Sequence, residues 1–246
     1  MIYIVPLSDL HIGSPSFDDR KYFKYVKWIV DTPNAYCLIN GDVLEMNTKG
    51  SVGDVFEGLR PREQRKLAVK YLRPLADAGK ILGYVDGNHE ARTKKESDEY
   101  IGEEICEQLG IPTVYSPDGI LLFLSVGYNQ SENKKTRNVY TLYMLHGWSS
   151  ARTVGGKFNN LAKMRDIVVA DIFVVSHSHQ KGAFPLRIMV PDLSKKRSVW
   201  KKQLFVSTAA FLDYEGYPVR GGFAPSALGS PCIELCGTRR AFHARV

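Results

Sequence analysis

The sequence predicts an α/β fold built on two sheets, and three observations predict it. Up to Pro112, short apolar, β-rich runs alternate with amphipathic stretches. Beyond Pro112 strand-like runs follow one another with little helix between them. Polar residues cluster directly after several of these runs. Strand–helix–strand units followed mostly by strands is the pattern of an α/β chain whose two sheets pack together.

The elements follow in order. The apolar run 2–7 is a strand. Asp18 or Asp19 caps a helix reaching Val30, with Phe23, Val26, Trp28, Ile29 and Val30 as its apolar positions. Residues 36–39 form a second short strand. Pro61, in a first helical turn, opens a basic helix that carries Leu67, Val69, Tyr71, Leu72 and Leu75. Residues 81–85 are a third strand, and 97–109 a helix stopped by Gly110 and Pro112. Strands are then expected at 120–126, 139–145, 172–175, 183–190, 204–207 and 233–235, with a single helix at 160–168.

No internal repeat, linker or low-complexity segment divides the 246 residues, so one domain spanning 1–246 is expected. With 44% hydrophobic and 24% charged residues, the composition is that of a globular protein and excludes a disordered tail or a fibrous repeat. No apolar run approaches the roughly 18 residues of a membrane helix. The opening Met1-Ile-Tyr-Ile-Val-Pro-Leu-Ser8 lacks the basic start and small-residue cleavage site of a signal peptide. Cys37, Cys106, Cys232 and Cys236 are too few for a disulfide framework in a chain of this size. Buried, reduced cysteines and a cytoplasmic location are expected. Cys232 and Cys236 have no second Cys/His pair at zinc-ribbon spacing.

The chemistry lies in five clusters at strand ends: Ser8-Asp9-Leu-His11, Asn40-Gly-Asp42, Gly87-Asn-His-Glu90, His146-Gly147 and Ser176-His-Ser-His179. Each is common by itself; a lone Gly-Asp is a turn, and one histidine after a strand is usually a satisfied polar residue. As a set they hold five of the six histidines, leaving out only His243. In open α/β sheets ligands bind beyond the carboxyl ends of the strands, so clusters far apart in sequence converge there. Carboxylate, amide oxygen and imidazole without cysteine suit Mn²⁺, Fe, Zn²⁺ or Ni²⁺ and select weakly among them. In Asp9-x-His11 and His177-x-His179, one short segment supplies two donors.

The ordered blocks Asp9-x-His11, Gly41-Asp42, Gly87-Asn88-His89-Glu90, His146 and His177-x-His179 resemble those of the calcineurin-like metallophosphoesterases. The resemblance covers residues 9 to 179. It implies a four-layer α-β-β-α sandwich of two mixed sheets with two divalent metals, Mn²⁺ first, at one edge. One metal would take Asp9, His11, Asp42 and His179, and the other Asp42, Asn88, His146 and His177, with Asp42 bridging. His89 would not be a ligand; it would face the scissile phosphate and protonate the leaving alkoxide or stabilise its charge. Two such ions, about 3.5–4 Å apart, share the attacking water and clamp the attacking and leaving oxygens.

Two departures from the family pattern matter. Ser176 stands where Gly is usual, and a backbone with φ > 0 there would be strained. Gly41-Asp-Val-Leu-Glu-Met-Asn47 lacks the Arg-containing run of the protein phosphatases, whereas Ser-Asp-Leu-His-Ile-Gly13 is closer to the phosphodiesterase branches. A phosphodiesterase acting on nucleic acid or a nucleotide is therefore expected. The alternatives are a small-substrate phosphatase or pyrophosphohydrolase, and an inactive protein-binding scaffold.

Substrate-side candidates are Asn88, Arg92, Arg152 and Lys157. The segment 147–157 is either a mobile loop over the metals or a plain connection, and it is no P-loop, lacking the first glycine. Trp148 is either a stacking face or core, and the turn-rich run 218–231 is a candidate specificity loop. The formal charge of +7, from 33 Lys+Arg against 26 Asp+Glu, favours a polyanionic partner such as DNA or RNA. The basic stretches 133–138 and 195–202, each a hairpin tip or loop, are either plain solvated loops, nucleic-acid contacts with Trp200 available to stack on a base, or a localisation signal.

Overall fold

The structure, a computed structural model, describes residues 1–47, 58–130, 136–149, 151–215, 219 and 225–246, apart from the side chain of Glu96. The chain runs through β1 (Ile2–Leu7), α1 (Asp19–Asp31), β2 (Ala35–Asn40), α2 (Pro61–Asp77), β3 (Ile81–Val85), α3 (Glu90–Ser97), α4 (Ile101–Leu109) and β4 (Tyr115–Ser116). It continues with β5 (Gly119–Tyr128), β6 (Arg137–Leu145), α5 (Val154–Ala162), β7 (Ile172–Val175), β8 (Gly182–Asp192), β9 (Arg197–Ser207), β10 (Cys232–Leu235) and β11 (Phe242–Arg245).

Two mixed sheets result. The first has the order β11-β10-β1-β2-β3-β4 and the second β5-β6-β7-β9-β8. In the first, β1, β2, β3 and β4 are parallel; in the second, β6, β7 and β9 are parallel. The period-two alternation of each strand sorts its side chains to opposite faces. Val5, Leu7, Cys37, Ile39 and Tyr84 face Tyr22, Ile29, Leu72, Leu75 and Ile105 of the helices. Ile4, Leu38 and Val85 instead meet Leu142, Met144, Val174 and Val206 of the second sheet. The outer face of that sheet stacks Phe173 on Phe205, with ring centroids 4.8 Å apart, beneath Leu161 of α5. Three apolar layers between four layers of structure make the α-β-β-α sandwich.

Most expected elements are present, and the exceptions have local causes. Asp18 caps α1, its carboxylate accepting from Lys21 N–H at 2.9 Å. The expected helix 97–109 is instead the end of α3 and the separate α4. Asp98, in the left-handed region at φ 57°, breaks the chain between them. The expected helix 160–168 is instead α5, which starts at Val154, where Thr153 accepts from Gly156 N–H at 3.2 Å and caps it, and ends at Ala162, giving way to a 3-10 turn over Lys163–Asp166. Gly155, Gly156 and Lys157 are therefore the first turn of α5 and not a loop. Of the basic stretch 195–202, Lys195 and Lys196 form the tip of the β8–β9 hairpin, while residues 197–202 lie within β9. Residues 133–135 of the other basic stretch, and 218 and 220–224 of the turn-rich run, lie outside the described residues. Cys37 and Cys106 are buried as expected, but Cys232 and Cys236, at the ends of a strand near the sheet edge, are only partly so; all four are free. Among the described residues, no helix is long and apolar enough to cross a membrane.

Candidate metal centre

The carboxyl ends of β1, β2, β3, β6 and β7 carry the five polar clusters to one edge of the sandwich. The backbone bends sharply there. Asp9, His11, Asp42, His177 and His179 all have φ between 49° and 63°, five of the eight non-glycine residues with positive φ among those described. Asp and His tolerate this region better than most residues, but it still costs of order 1–3 kcal/mol each. The bend turns both members of Asp9-x-His11 and of His177-x-His179 inward, as the spacing requires. Ser176 is not among the positive-φ residues, so the expected strain at that position is absent. Its hydroxyl instead accepts from Asn40 Nδ2 at 2.5 Å.

Close approach of the loops depends on two glycines. A Cβ on Gly41 would lie 2.5 Å from His146 Nδ1, and one on Gly87 would lie 2.1 Å from Asp42 Oδ1. Contacts between the sheets hold the same edge. Ser8 Oγ donates to Thr208 Oγ1 at 2.7 Å, and Asn40 Nδ2 donates to Leu145 O at 3.0 Å.

Asp9, His11 and His179 bring one donor atom each within 4.8 Å of one another, as do Asp42, His146 and His177. Asn88 joins the second set, its Oδ1 lying 3.1 Å from His146 Nε2 and 2.7 Å from His177 Nδ1. Asp42 touches both, with Oδ2 3.1 Å from His146 Nε2 and 3.9 Å from His11 Nε2. Thus the seven expected ligands come together with Asp42 between the two groups. A third grouping, of His11, Asp42 and His89, overlaps these. Within it, His89 Nδ1 meets the Glu45 carbonyl, and its Nε2 is 3.1 Å from Arg92 Nη2 and 3.9 Å from Asp42 Oδ2.

Residues beneath the donors orient them. Glu45 Oε2 lies 2.8 Å from His11 Nδ1 and leaves Nε2 facing the centre. The Asn40 carbonyl does the same for His146, 2.9 Å from its Nδ1. Such outer contacts set the tautomer and raise the basicity of a ligating imidazole. Glu90 is fully buried and accepts three backbone N–H groups: Asp42 at 3.0 Å, Gly87 at 2.9 Å and Leu44 at 2.9 Å. Sequence reasoning included Glu90 in a cluster without a role and passed over Glu45. Both act on atoms that only the folded chain brings near.

The electrostatics favour a cation. Asp9 is fully buried, and neither carboxylate oxygen has a well-aligned hydrogen-bond donor; the His179 ring nitrogen Nε2 lies 3.2 Å from Oδ1. A buried carboxylate without such partners is costly, and a cation removes that cost. Burial alone would raise Asp9 and Asp42, yet the surrounding imidazoles hold both below the usual carboxylate range. Burial works against protonation of His11 and His146, but Glu45 and Asp42 respectively push them up to about 9 and about 10. Protons there supply the positive charge that the carboxylates demand. The donor chemistry and the uncompensated Asp9 fit two divalent ions.

Other expected site residues are placed less uniformly. Arg92 lies against His89, and Lys157 lines a pocket beside Ser176 and Ser178. Trp148, at the rim of that pocket, is 64% exposed and so is not core. Arg152 is exposed, and among the described residues no contact joins it to the donors. Lys181, two residues after His179, was not foreseen; burial and the nearby Lys21 lower its pKa.

Comparison of the sequence with protein-family models and with curated proteins finds no match. Solved structures do align with it. A single-substitution variant of Vps29 from Entamoeba histolytica has a TM-score of 0.46 at 13% identity, covering 95% of this chain and 86% of that one. A predicted phosphoesterase from Streptococcus pneumoniae has a TM-score of 0.41 at 13% identity, covering 99% and 98%. A metallophosphoesterase from Sphaerobacter thermophilus has a TM-score of 0.38 at 16% identity, covering 100% and 89%. The two-sheet sandwich described above is the one that the sequence resemblance implies.

Proposed function

We propose that the protein is a dimetal phosphoesterase, and specifically a phosphodiesterase acting on nucleic acid or a nucleotide. The observation that carries this reading is the pair of donor groups, Asp9/His11/His179 and Asn88/His146/His177, with Asp42 between them. When bound, two divalent ions there supply Lewis-acid chemistry, acidifying water and neutralising phosphoryl charge.

The remaining work falls to the chain. Phosphoryl transfer needs positioning and charge more than covalent participation by the protein. Glu45 and the Asn40 carbonyl orient His11 and His146, and Glu90 fixes the loops after β2 and β3 in mutual register. Burial, with help from His11 and Arg92, pulls His89 down to about 4, so its imidazole is neutral near pH 7. The Arg92 guanidinium, with Nη2 3.1 Å from His89 Nε2, adds a fixed positive charge beside it. His89 N–H also donates to Asp42 Oδ1 at 2.9 Å, which ties its position to the central carboxylate.

The test is hydrolysis of bis- and mono-p-nitrophenyl phosphate with added Mn²⁺, together with metal analysis. Diester turnover with two bound metals is expected. Turnover of neither ester removes the enzymatic reading, and monoester turnover alone favours a phosphatase. For nucleic acid, binding to single- and double-stranded DNA is expected to weaken with rising salt. A flat salt response removes that substrate class.

A further inference from the structure

A pocket of about 110 Å³ beside His177 has no part in the chemistry above. Its polar wall carries Ser149, Lys157, Asn160, Lys163, Ser178 and Ser207. Three features bear on what it holds.

The first is position. Ser176 and Ser178 both line the pocket and flank His177 in one tight turn, where Ser178 N–H donates to Ser176 O at 2.6 Å. The pocket and the second donor group therefore share a wall. The second feature is charge. No lining residue is acidic, two are lysines, and among the described residues no carboxylate pairs with either lysine. Burial lowers the Lys157 ammonium, which is thus partly withdrawn from water without a counter-charge. The third is shape. Leu161 and Met164, 2% and 3% exposed, are among its lining, and a volume of about 110 Å³ suits a small group.

We propose that this pocket holds a second, non-reacting phosphate of the substrate while the phosphate to be cleaved lies at the donor groups. The proposal rests on the phosphoesterase reading and narrows its substrate to compounds with two neighbouring phosphates, one of them terminal. A lysine-and-serine wall gives such a dianion the charge-assisted hydrogen bonds that bind it best. Exposed Trp148 at the rim offers a flat face to an attached base.

Calorimetric titration of the Mn²⁺-loaded protein with thymidine 3′,5′-bisphosphate and thymidine 5′-monophosphate tests it. The bisphosphate is expected to bind at least about tenfold tighter, the worth of one hydrogen bond to a charged group. That preference is expected to vanish in the Lys157→Ala/Lys163→Ala double variant and to persist in Lys157→Arg, with circular dichroism confirming that both are folded. Equal affinity for the two ligands, or a preference that survives the double variant, overturns the proposal. Diester turnover without the preference overturns the pocket alone. The preference without turnover supports the pocket and overturns only the catalytic reading.

Discussion

The two sheets contribute unlike halves to the centre. The helix-backed first sheet supplies Asp9, His11, Asp42 and Asn88, which include all three oxygen donors. Asp9 is 0% exposed, and Glu45 and Glu90 support this half with further buried carboxylates. The second sheet supplies only imidazoles, His146, His177 and His179. The His179 side chain is 29% exposed, and the half opens onto the lysine- and serine-lined pocket. Negative charge thus sits in the dry half, where a cation gains most from it, because Coulombic attraction is weakly screened there. Imidazole donors stand on the side that opens onto the pocket. The comparison teaches that the first sheet anchors charge and the second presents it.

Four substitutions test this division, the first with the largest effect. Asp42→Ala removes the carboxylate between the two donor groups. Bound metal should fall from two equivalents to one or fewer, and turnover should drop by more than the roughly 100-fold that loss of an outer-shell partner costs. Two retained metals, counted by elemental analysis, would break the comparison at its centre. Glu90→Gln turns an amide N–H₂ toward one of three backbone donors and leaves that donor unsatisfied. A loss of about 1–3 kcal/mol in urea unfolding is expected. Glu45→Ala frees His11 Nδ1 and should weaken metal binding about 10–100-fold in a chelator competition. If it weakened binding no more than a change on the second sheet, the first sheet would not be the anchor. Ser176→Gly deletes only the hydroxyl that Asn40 meets. It should cost about 1 kcal/mol in thermal unfolding and leave metal content intact, the smallest effect of the four.

How much of this was legible varies by residue, for physical reasons. Asp9, His11, Asp42, His146, His177 and His179 were legible because each follows an apolar β-rich run, and strand ends in α/β sheets are where ligands gather. The α5 boundary was misread because Gly155 and Gly156 are poor helix formers, while the Thr153 cap and packing on the second sheet outweigh that cost. The single helix expected over 97–109 failed on one backbone angle, at Asp98. Strand β11 is only four residues long, too short for its alternation to stand out, and its pairing with β10 reveals it. The roles of Glu45 and Glu90 were not legible because their partners are a ring nitrogen and backbone N–H groups brought near by loop closure.

The sequence by itself determined the donor types and their places at strand ends, and with them the chemistry the centre can support. Composition and patterning likewise determined the alternation that sorts side chains between helices and the facing sheet. Only the tertiary structure decided that Asp42 stands between two groups, that Arg92 lies on His89, and that Lys157 walls a pocket while Arg152 points to solvent. These are distances between segments up to some 170 residues apart. They depend on how two sheets dock, and no local pattern encodes that.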